Sequence, residues 1–289
     1  MWKDNFITRL INESLSHIMK KIRKKIKQPS DSVSFISGEY KIFQEIEKET
    51  LEKNRENADI LVEHLNNWID SVIPIIKNNP ELSRSLIGVR FIGTFSEMRL
   101  TVFSILSGCY FQSVRNLRFV FESMIHAYYL ETEYERIFPD LFLEVIDQPD
   151  NTIEFQIRLE ARLHEEYPKK KDRFRDITGF SKTIIDSLPL LSDEKDHLKM
   201  TYHKLSSLVH PAPEQIKKII ENPDMIFTFF YNEEFFKECV ELTDDVMDLT
   251  FAIILLRFPD LKKDIKTNKN TLLNISLVRL PITTRLLNT

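Results

Sequence analysis

The side chains best suited to chemistry lie in two segments of this sequence. The first segment, residues 112–131, is apolar except for one set of charged and titratable side chains: Arg115, Arg118, Glu122, His126 and Tyr129. At about 100° per residue in an α-helix, these side chains fall within a sector of roughly 80° and form one polar stripe. Arginine binds phosphate through a planar fork of donors, and histidine exchanges protons near neutral pH. One interpretation is therefore an anion site, with the stripe lining a pocket between helices.

A structural interpretation of the same stripe stays open. Arg118 and Glu122 have the i, i+4 spacing of a helical ion pair. His126 and Tyr129 would then satisfy neighbouring backbone groups. Under either interpretation the charged side chains of the stripe must form ion pairs or bind a ligand, because an unpaired charge is expensive to bury.

The second segment is a predicted helix end that carries Tyr202, Ser206 and His210 at four-residue spacing, directly before Pro211. His210 is either a histidine whose charged form is favoured by the helix dipole, or an acid or base in a site. A nucleophilic role for Ser206 lacks the strand-to-helix elbow that exposes such a serine. The cysteines and histidines also lack the spacing of a zinc site, so we expect no metal and no cofactor.

Long helices must position these segments. Only 5 glycines occur in 289 residues, which leaves few positions for hairpin turns and phosphate loops. The sequence therefore predicts an all-α helical bundle. Apolar periodicity predicts helices over about 3–27, 39–76, 192–209 and 232–258, and two core helices within about 82–135 that are broken at Gly88, Gly93 and Gly108. Pro74 is predicted to kink or stop the second of these helices.

We expect one all-α domain across residues 1–289. N-terminal helices would occupy 1–80, and a helical core would occupy 81–257 with a charged insertion at about 139–190. Residues 258–289 form a basic C-terminal tail that would dock either on the body of the protein or on a partner.

The composition limits the class of protein. Lys+Arg number 40 and Asp+Glu 44, a net charge of −4 that gives no global attraction to nucleic acid. Basic patches at 20–27 and 169–175 are either solvated helix faces or contacts for a nucleic-acid backbone or an anionic membrane surface. No apolar run approaches the roughly 20 residues of a membrane span, and no secretory signal opens the chain. With Cys109 and Cys239 interpreted as reduced core residues, we expect a cytoplasmic protein without a membrane span.

Two motifs together resemble a known group of proteins. The first is Y-x4-R-x2-R-x3-E-x3-H, formed by Tyr110, Arg115, Arg118, Glu122 and His126. The second is Y-x3-S-x3-H-P, formed by Tyr202, Ser206, His210 and Pro211. In combination they resemble an uncharacterised group of prokaryotic all-α proteins related to the HEPN superfamily, which includes metal-independent ribonucleases, toxins and defence factors. The resemblance covers about residues 93–213, so it implies that the core at 81–257 is HEPN-like.

This resemblance also implies a homodimer and a role in defence or stress that involves RNA or nucleotides. If the superfamily's chemistry is kept, the protein would be a metal-independent endoribonuclease. His126 or His210 would then be the acid or base for attack by an RNA 2′-hydroxyl, and Arg115 or Arg118 would stabilise the phosphate. Glu122 and Tyr202 complete the implied site. The superfamily's ribonuclease motif has a histidine four to six positions after the arginine, whereas seven residues separate Arg118 from His126.

A helical protein–protein interaction module without catalysis is the alternative. A short segment is more aromatic than one small core usually needs: Phe227, Phe229, Phe230, Tyr231, Phe235 and Phe236. If these side chains form an exposed patch, they indicate a binding face for another protein or a second copy of the chain. A small-molecule enzyme is a third interpretation, which a deep pocket with convergent polar groups would identify.

Overall fold

The structure, a computed structural model, describes residues 32–137, 177–209, 229–263 and 280–289. The all-α prediction is confirmed, because the described residues form eight α-helices and no strand. The predicted helix at about 3–27, both basic patches, Phe227, His210 and Pro211 lie outside the described residues. None of the described helices combines the length and the apolar character of a membrane span.

The helices follow one another in chain order as α1 Ser32–Asn78, α2 Pro80–Arg84, α3 Leu86–Leu106, α4 Tyr110–Ile137, α5 Ile177–Ser187, α6 Ser192–Val209, α7 Glu233–Arg257 and α8 Pro281–Asn288. Three of their starts have local causes in the sequence. The side chains of Asn79, Ser85 and Asn232 accept hydrogen bonds from the first backbone amides of α2, α3 and α7.

Two of the predicted helix breaks differ in the structure. Pro74 lies inside α1 and does not end it. The helix departs from helical dihedral angles at a different residue, Asn54, with φ −133° and ψ 31°. Gly88 and Gly93 lie inside α3, so only Gly108 separates the two core helices. Gly108 has a φ of 71°, and a Cβ atom there would lie 2.3 Å from the carbonyl oxygen of Phe230. This turn therefore requires glycine for both conformation and space.

The core forms around α3 and α4, which pack antiparallel across the turn at Gly108. Beside them α7 runs in the same direction as α4, because Tyr110 stacks on Phe235 at one end and Glu131 pairs with Arg257 at the other. Glu131 is buried and also accepts a hydrogen bond from the amide of Ile87 in the first turn of α3. A carboxylate in that position is stabilised by the helix dipole. One buried charge thus joins three helices.

The aromatic segment after residue 228 belongs mainly to this core. Phe230, Phe235 and Phe236 are buried, and Phe230 packs edge-on against Tyr110. The condition for an aromatic binding face, that these side chains be exposed, is therefore not met by these three residues. The cause is Gly108, whose backbone carbonyl accepts a hydrogen bond from the Phe230 amide and draws the segment against the bundle.

The end of the basic tail docks on the body of the protein, which is one of the two outcomes predicted for it. Asp248 of α7 accepts hydrogen bonds from the amides of Ile282 and Thr283 at the start of α8, at 2.9 and 2.8 Å. On the other side Arg285 donates to Glu194 of α6. The helix α8 is thus fixed by a carboxylate at its N-terminus and an ion pair near its C-terminus.

Candidate functional site

The two polar stripes predicted from the sequence meet in the fold. The Tyr202 hydroxyl on α6 donates a hydrogen bond of 2.8 Å to Glu122 Oε1 on α4, although the two residues are 80 positions apart. Arg118 Nε donates to the same oxygen at 3.0 Å. The guanidinium of Arg118 also lies 5.7 Å from the centre of the Tyr202 ring, within the range of a cation–π contact. The two predicted constellations therefore form one polar cluster.

Apolar packing sets the position of Tyr202. Its ring stacks on Phe121 of α4 at a centroid distance of 5.5 Å, and Leu198 and Leu205 are buried one turn on either side of it. Only the hydroxyl then has to find a polar partner, as buried tyrosines usually do. Burial raises the pKa of Tyr202, so this hydroxyl keeps its proton at neutral pH and acts as a donor to Glu122.

The other half of the cluster joins α4 to α5. Ser181 is completely buried, and its Oγ lies 3.4 Å from His126 Nε2. Burial raises the pKa of Tyr202, and Ser181 opposes that effect. We call Arg118, Glu122, His126, Ser181 and Tyr202 the Glu122 cluster. Ser181 was not predicted, because it lies in the region interpreted as a charged insertion and only the packing of α5 on α4 makes it part of the site.

Electrostatics give the members of the cluster different protonation states. Burial lowers the pKa of His126, an effect that Glu122 opposes and the positive charge of Arg90 reinforces. Burial disfavours the charge on Arg118, but the hydrogen bond and the charge attraction to Glu122, with a smaller effect of Tyr202, together outweigh it and raise the pKa of the guanidinium. At neutral pH the cluster therefore contains a neutral imidazole beside a charged arginine–glutamate pair.

The cluster is not sealed from solvent. The side chains of Arg118 and Glu122 are 13% and 23% exposed, while Tyr202 and Ser181 are fully buried. The charged pair thus forms the solvent-facing side of the cluster and the hydroxyls form its inner side. A ligand reaching it from solvent would meet Arg118 and Glu122 first.

Some of the predicted site residues lie apart from this cluster. Arg115 is on the exposed surface of α4, and Tyr129 is half-buried against the core. His210 lies outside the described residues. Ser206, one helical turn beyond Tyr202, is buried, and its Oγ has no hydrogen-bond partner among the residues that the structure describes. A buried hydroxyl without a partner is uncommon in proteins and often marks a site for water or ligand.

A second group of polar side chains, not predicted from the sequence, lies along α7. Asp244 contacts His64 of α1 at 3.0 Å, and Asp245 contacts both His197 and Thr201 of α6, at 3.0 and 2.8 Å. Each carboxylate joins a different pair of helices, so we interpret these contacts as structural links. In the described part of the chain, no group of three or more His, Cys, Asp or Glu side chains is arranged to hold a metal ion.

Comparison with family models, curated proteins and solved structures gave no match for this chain. The geometry and chemistry of the Glu122 cluster therefore carry the functional proposal.

Proposed function

We propose that this protein is an HEPN-like helical protein that binds RNA at the Glu122 cluster and cleaves it as a metal-independent endoribonuclease. One observation carries the proposal: polar stripes from two helices distant in sequence converge on Glu122 at a place that solvent reaches. An arginine and a neutral histidine on α4 then lie on a helix that packs against α6, which carries the Ser206 hydroxyl. Those are groups that a phosphodiester substrate would use.

The proposed reaction is an intramolecular transesterification of RNA. The 2′-oxygen attacks the adjacent phosphorus while its proton passes to a histidine, for which His126 is suited because burial keeps it neutral at pH 7. The bond from phosphorus to the 5′-oxygen breaks, and that oxygen takes a proton from a second acid, the role we assign to His210. The products are a 2′,3′-cyclic phosphate and a 5′-hydroxyl. Arg118, with Arg115 at the surface, would stabilise the charge that develops on the phosphate oxygens.

The test is RNA cleavage in the presence of a chelator by the wild-type protein and by His126→Ala and His210→Ala. We expect the wild type to cleave single-stranded RNA, and each variant to lose roughly 10²-fold or more in rate, the contribution of a positioned general acid or base. His203→Ala is the matched control, since His203 is an exposed histidine on the same helix as Tyr202. Full activity in both His126→Ala and His210→Ala would exclude the proposed mechanism.

A role in defence or stress follows from the HEPN resemblance and is part of the same proposal. The proposal predicts that RNA cleavage by this protein slows or stops the growth of a cell in which the protein is not inhibited. Expression of the wild-type chain should slow growth of a bacterial host more than expression of His126→Ala at the same protein level.

Self-association is the second candidate function, and the exposed side of α3 favours it. At about 100° per residue, Ile92, Ser96, Leu100 and Phe103 lie within a sector of roughly 80°, which we call the α3 face. Its three apolar members are between 44% and 54% exposed, and Phe119 on the neighbouring helix α4 is 52% exposed. Exposed apolar side chains grouped in this way are typical of protein interfaces.

The area of this surface is of the order that a dimer requires. A large side chain buries roughly 150–250 Å² when covered, so four half-exposed ones present roughly 350 Å² of apolar surface. A standard interface buries about 800 Å² per partner, of which about 57% is non-polar. The α3 face with Phe119 would supply most of that apolar part. We therefore assign the face to a second copy of this chain, in a homodimer.

Gly93 gives an independent reason for a close partner. It lies within α3, and a Cβ atom at that position would meet no atom of the described residues within 4 Å. A glycine inside a helix costs roughly 1 kcal/mol relative to alanine. No packing around Gly93 in the described residues requires that cost, whereas a second helix approaching the α3 face closely would.

A further inference from the structure

Phe119 is an exposed aromatic side chain on the same side of α4 as the Glu122 cluster. At about 100° per residue, Arg115, Phe119, Glu122 and His126 lie within a sector of roughly 60° on this helix. With a rise of about 1.5 Å per residue, Phe119 is about 6 Å from Arg115 and about 10 Å from His126 along the helix axis. The ring therefore lies beside the groups to which the proposed function assigns phosphate binding and proton transfer.

The ring of Phe119 differs from the other exposed aromatic rings of the described residues, those of Tyr40 and Phe103. Each of these two stacks on Phe43, at centroid distances of 6.0 and 5.5 Å. Phe119 is 52% exposed and stacks on no aromatic ring in the part of the chain that the structure describes. A single exposed apolar side chain is common on protein surfaces. What distinguishes Phe119 is an aromatic face that stays open beside charged groups.

Arg115 supplies a positive charge next to this ring. It is exposed, and no carboxylate of the described residues forms an ion pair with it. Arg118, in contrast, is held by Glu122 at 3.0 Å. A phosphate can therefore bind Arg115 without displacing another anion. Because side chains four residues apart are neighbours on a helix surface, a nucleotide whose phosphate binds Arg115 would bring its base to the ring of Phe119.

We propose that Phe119 is a base-stacking residue, on which an unpaired RNA base lies while Arg115 binds the adjacent phosphate. Stacking on an aromatic ring tolerates any of the four bases, but it needs a base whose face is exposed, unlike the bases of a duplex. Phe119 thus selects for unpaired nucleotides without selecting a sequence. This inference rests on the proposed function, since in the second candidate function a second copy of the chain covers Phe119 instead.

The stacking role is tested by fluorescence anisotropy with a labelled, single-stranded 2′-O-methyl RNA oligonucleotide. We expect Phe119→Ala to weaken binding about fivefold or more, as the loss of one base–aromatic stack does. Phe119→Trp keeps an aromatic face and should bind at least as tightly as the wild type. Phe119→Leu keeps apolar bulk without that face and should bind as weakly as Phe119→Ala. Phe103→Ala is the matched control, because it removes a similarly exposed ring from the α3 face, and it should leave the affinity unchanged.

The salt dependence of binding separates the roles of Phe119 and Arg115. Arg115→Gln should reduce the slope of the logarithm of affinity against the logarithm of salt concentration by about 0.7, the value for one phosphate contact with a single strand. Phe119→Ala should leave that slope unchanged, because stacking neutralises no phosphate. In the wild-type complex, nuclear Overhauser effects between the ring protons of Phe119 and base protons of the RNA should show the stack directly.

The outcomes separate this inference from the proposed function. If Phe119→Ala binds RNA as tightly as the wild type, the stacking role is overturned while the RNA site stands, and a loss of the dimer in that variant by sedimentation would assign the ring to a subunit interface. If Phe119 contributes to RNA binding as expected but the wild type does not cleave unmodified RNA, the ribonuclease proposal fails and the stacking role stands. A wild type that binds no RNA would overturn both.

Discussion

At the scale of single residues, Glu122 controls how the cluster could meet a phosphate. Its Oε1 accepts hydrogen bonds from both Arg118 and Tyr202. A phosphate that approaches Arg118 must therefore compete with a carboxylate already in place, and it is repelled by the same charge. The pair orients the guanidinium but weakens its attraction for an anion.

Replacing Glu122 by glutamine separates these two effects. Glu122→Gln keeps an oxygen of similar shape and removes the negative charge, so RNA binding should tighten. The dependence of the logarithm of affinity on the logarithm of salt concentration should steepen by about 0.7, the value for one additional phosphate contact with a single strand. The measurement is fluorescence anisotropy of a labelled RNA oligonucleotide across a range of salt concentrations.

Glu241→Gln is the control for that experiment, because it removes the same charge from an exposed position of α7. If Glu122→Gln and Glu241→Gln change the affinity and the salt dependence equally, the effect is one of net charge and the Glu122 cluster does not contact phosphate.

The pKa values of His126 and His197 are expected to be shifted in opposite directions. Burial lowers the pKa of His126, whereas the hydrogen bond to Asp245 raises the pKa of His197, each relative to 6.5. As the pH falls below 6.5, the unfolded chain takes up a proton at His126 before the folded protein does, so this residue reduces stability in acid. His197 contributes stability that is complete below 6.5 and is lost as the pH rises through its folded pKa.

The check is an NMR titration of the imidazole signals, assigned with single alanine variants. We expect His126 to titrate below 6.5 and His197 above it in the same sample. Titration of His126 above 6.5 would contradict its burial beside Arg90, and the proposal that it is a neutral base at pH 7 would then fail.

At the scale of elements, the helices are joined by carboxylates at their ends and along their sides. Asp248 serves the N-terminus of α8, and Glu131 serves that of α3. Burial raises the pKa of Asp248, against the opposing effect of the hydrogen bonds from Thr283 and Ile282. The hydrogen bonds from the start of α8 therefore stabilise the charged form of Asp248 against the cost of its burial.

Asp248→Ala should weaken the attachment of α8 to the bundle. Loss of the acceptor leaves buried amides unsatisfied, which costs about 1–3 kcal/mol, and we expect a decrease of that size in the free energy of unfolding. Chemical denaturation measures the decrease, and faster hydrogen exchange at the Ile282 and Thr283 amides locates it. The exposed Asp260→Ala is the control; equal effects of the two variants would show that Asp248 does not hold α8.

The elements that the sequence predicted best are those whose ends carry their own signals. The predicted range 192–209 matches α6, and 232–258 matches α7 closely, since Asn232 caps it and Pro259 follows it. Pro74, Gly88 and Gly93 misled the prediction because a long helix that packs on others tolerates single breakers. The docking of α8 was open from sequence, because it depends on Asp248 and Glu194, which are distant in the chain.

At the scale of the whole molecule, the sequence predicted most residues of the candidate site but not that they lie together. The spacing of Arg118, Glu122 and His126 placed them on one face of a helix, and Tyr202 was singled out on another. That Tyr202 reaches Glu122, and that Ser181 reaches His126, depends on how α5 and α6 pack on α4. Local periodicity carries no such information.

The exposed α3 face makes a prediction about the whole assembly. The wild-type protein should sediment as a dimer at micromolar concentration, and Leu100→Glu combined with Phe103→Glu should make it monomeric without loss of helix content. Met200→Glu changes an equally exposed apolar side chain on α6 and should leave the dimer intact. A monomeric wild type whose stability falls in the double variant would show that another part of the same chain covers the face.

The most direct test of the central claim is a map of where RNA binds. A short single-stranded RNA with 2′-O-methyl groups, which cannot be cleaved by attack of the 2′-oxygen, is titrated into isotope-labelled protein, and NMR signals are followed. We predict that the largest changes occur at Arg118, His126, Ser181 and Tyr202. Changes that are absent from these residues at saturating RNA, or an absence of binding altogether, would contradict the claim that the Glu122 cluster is an RNA site.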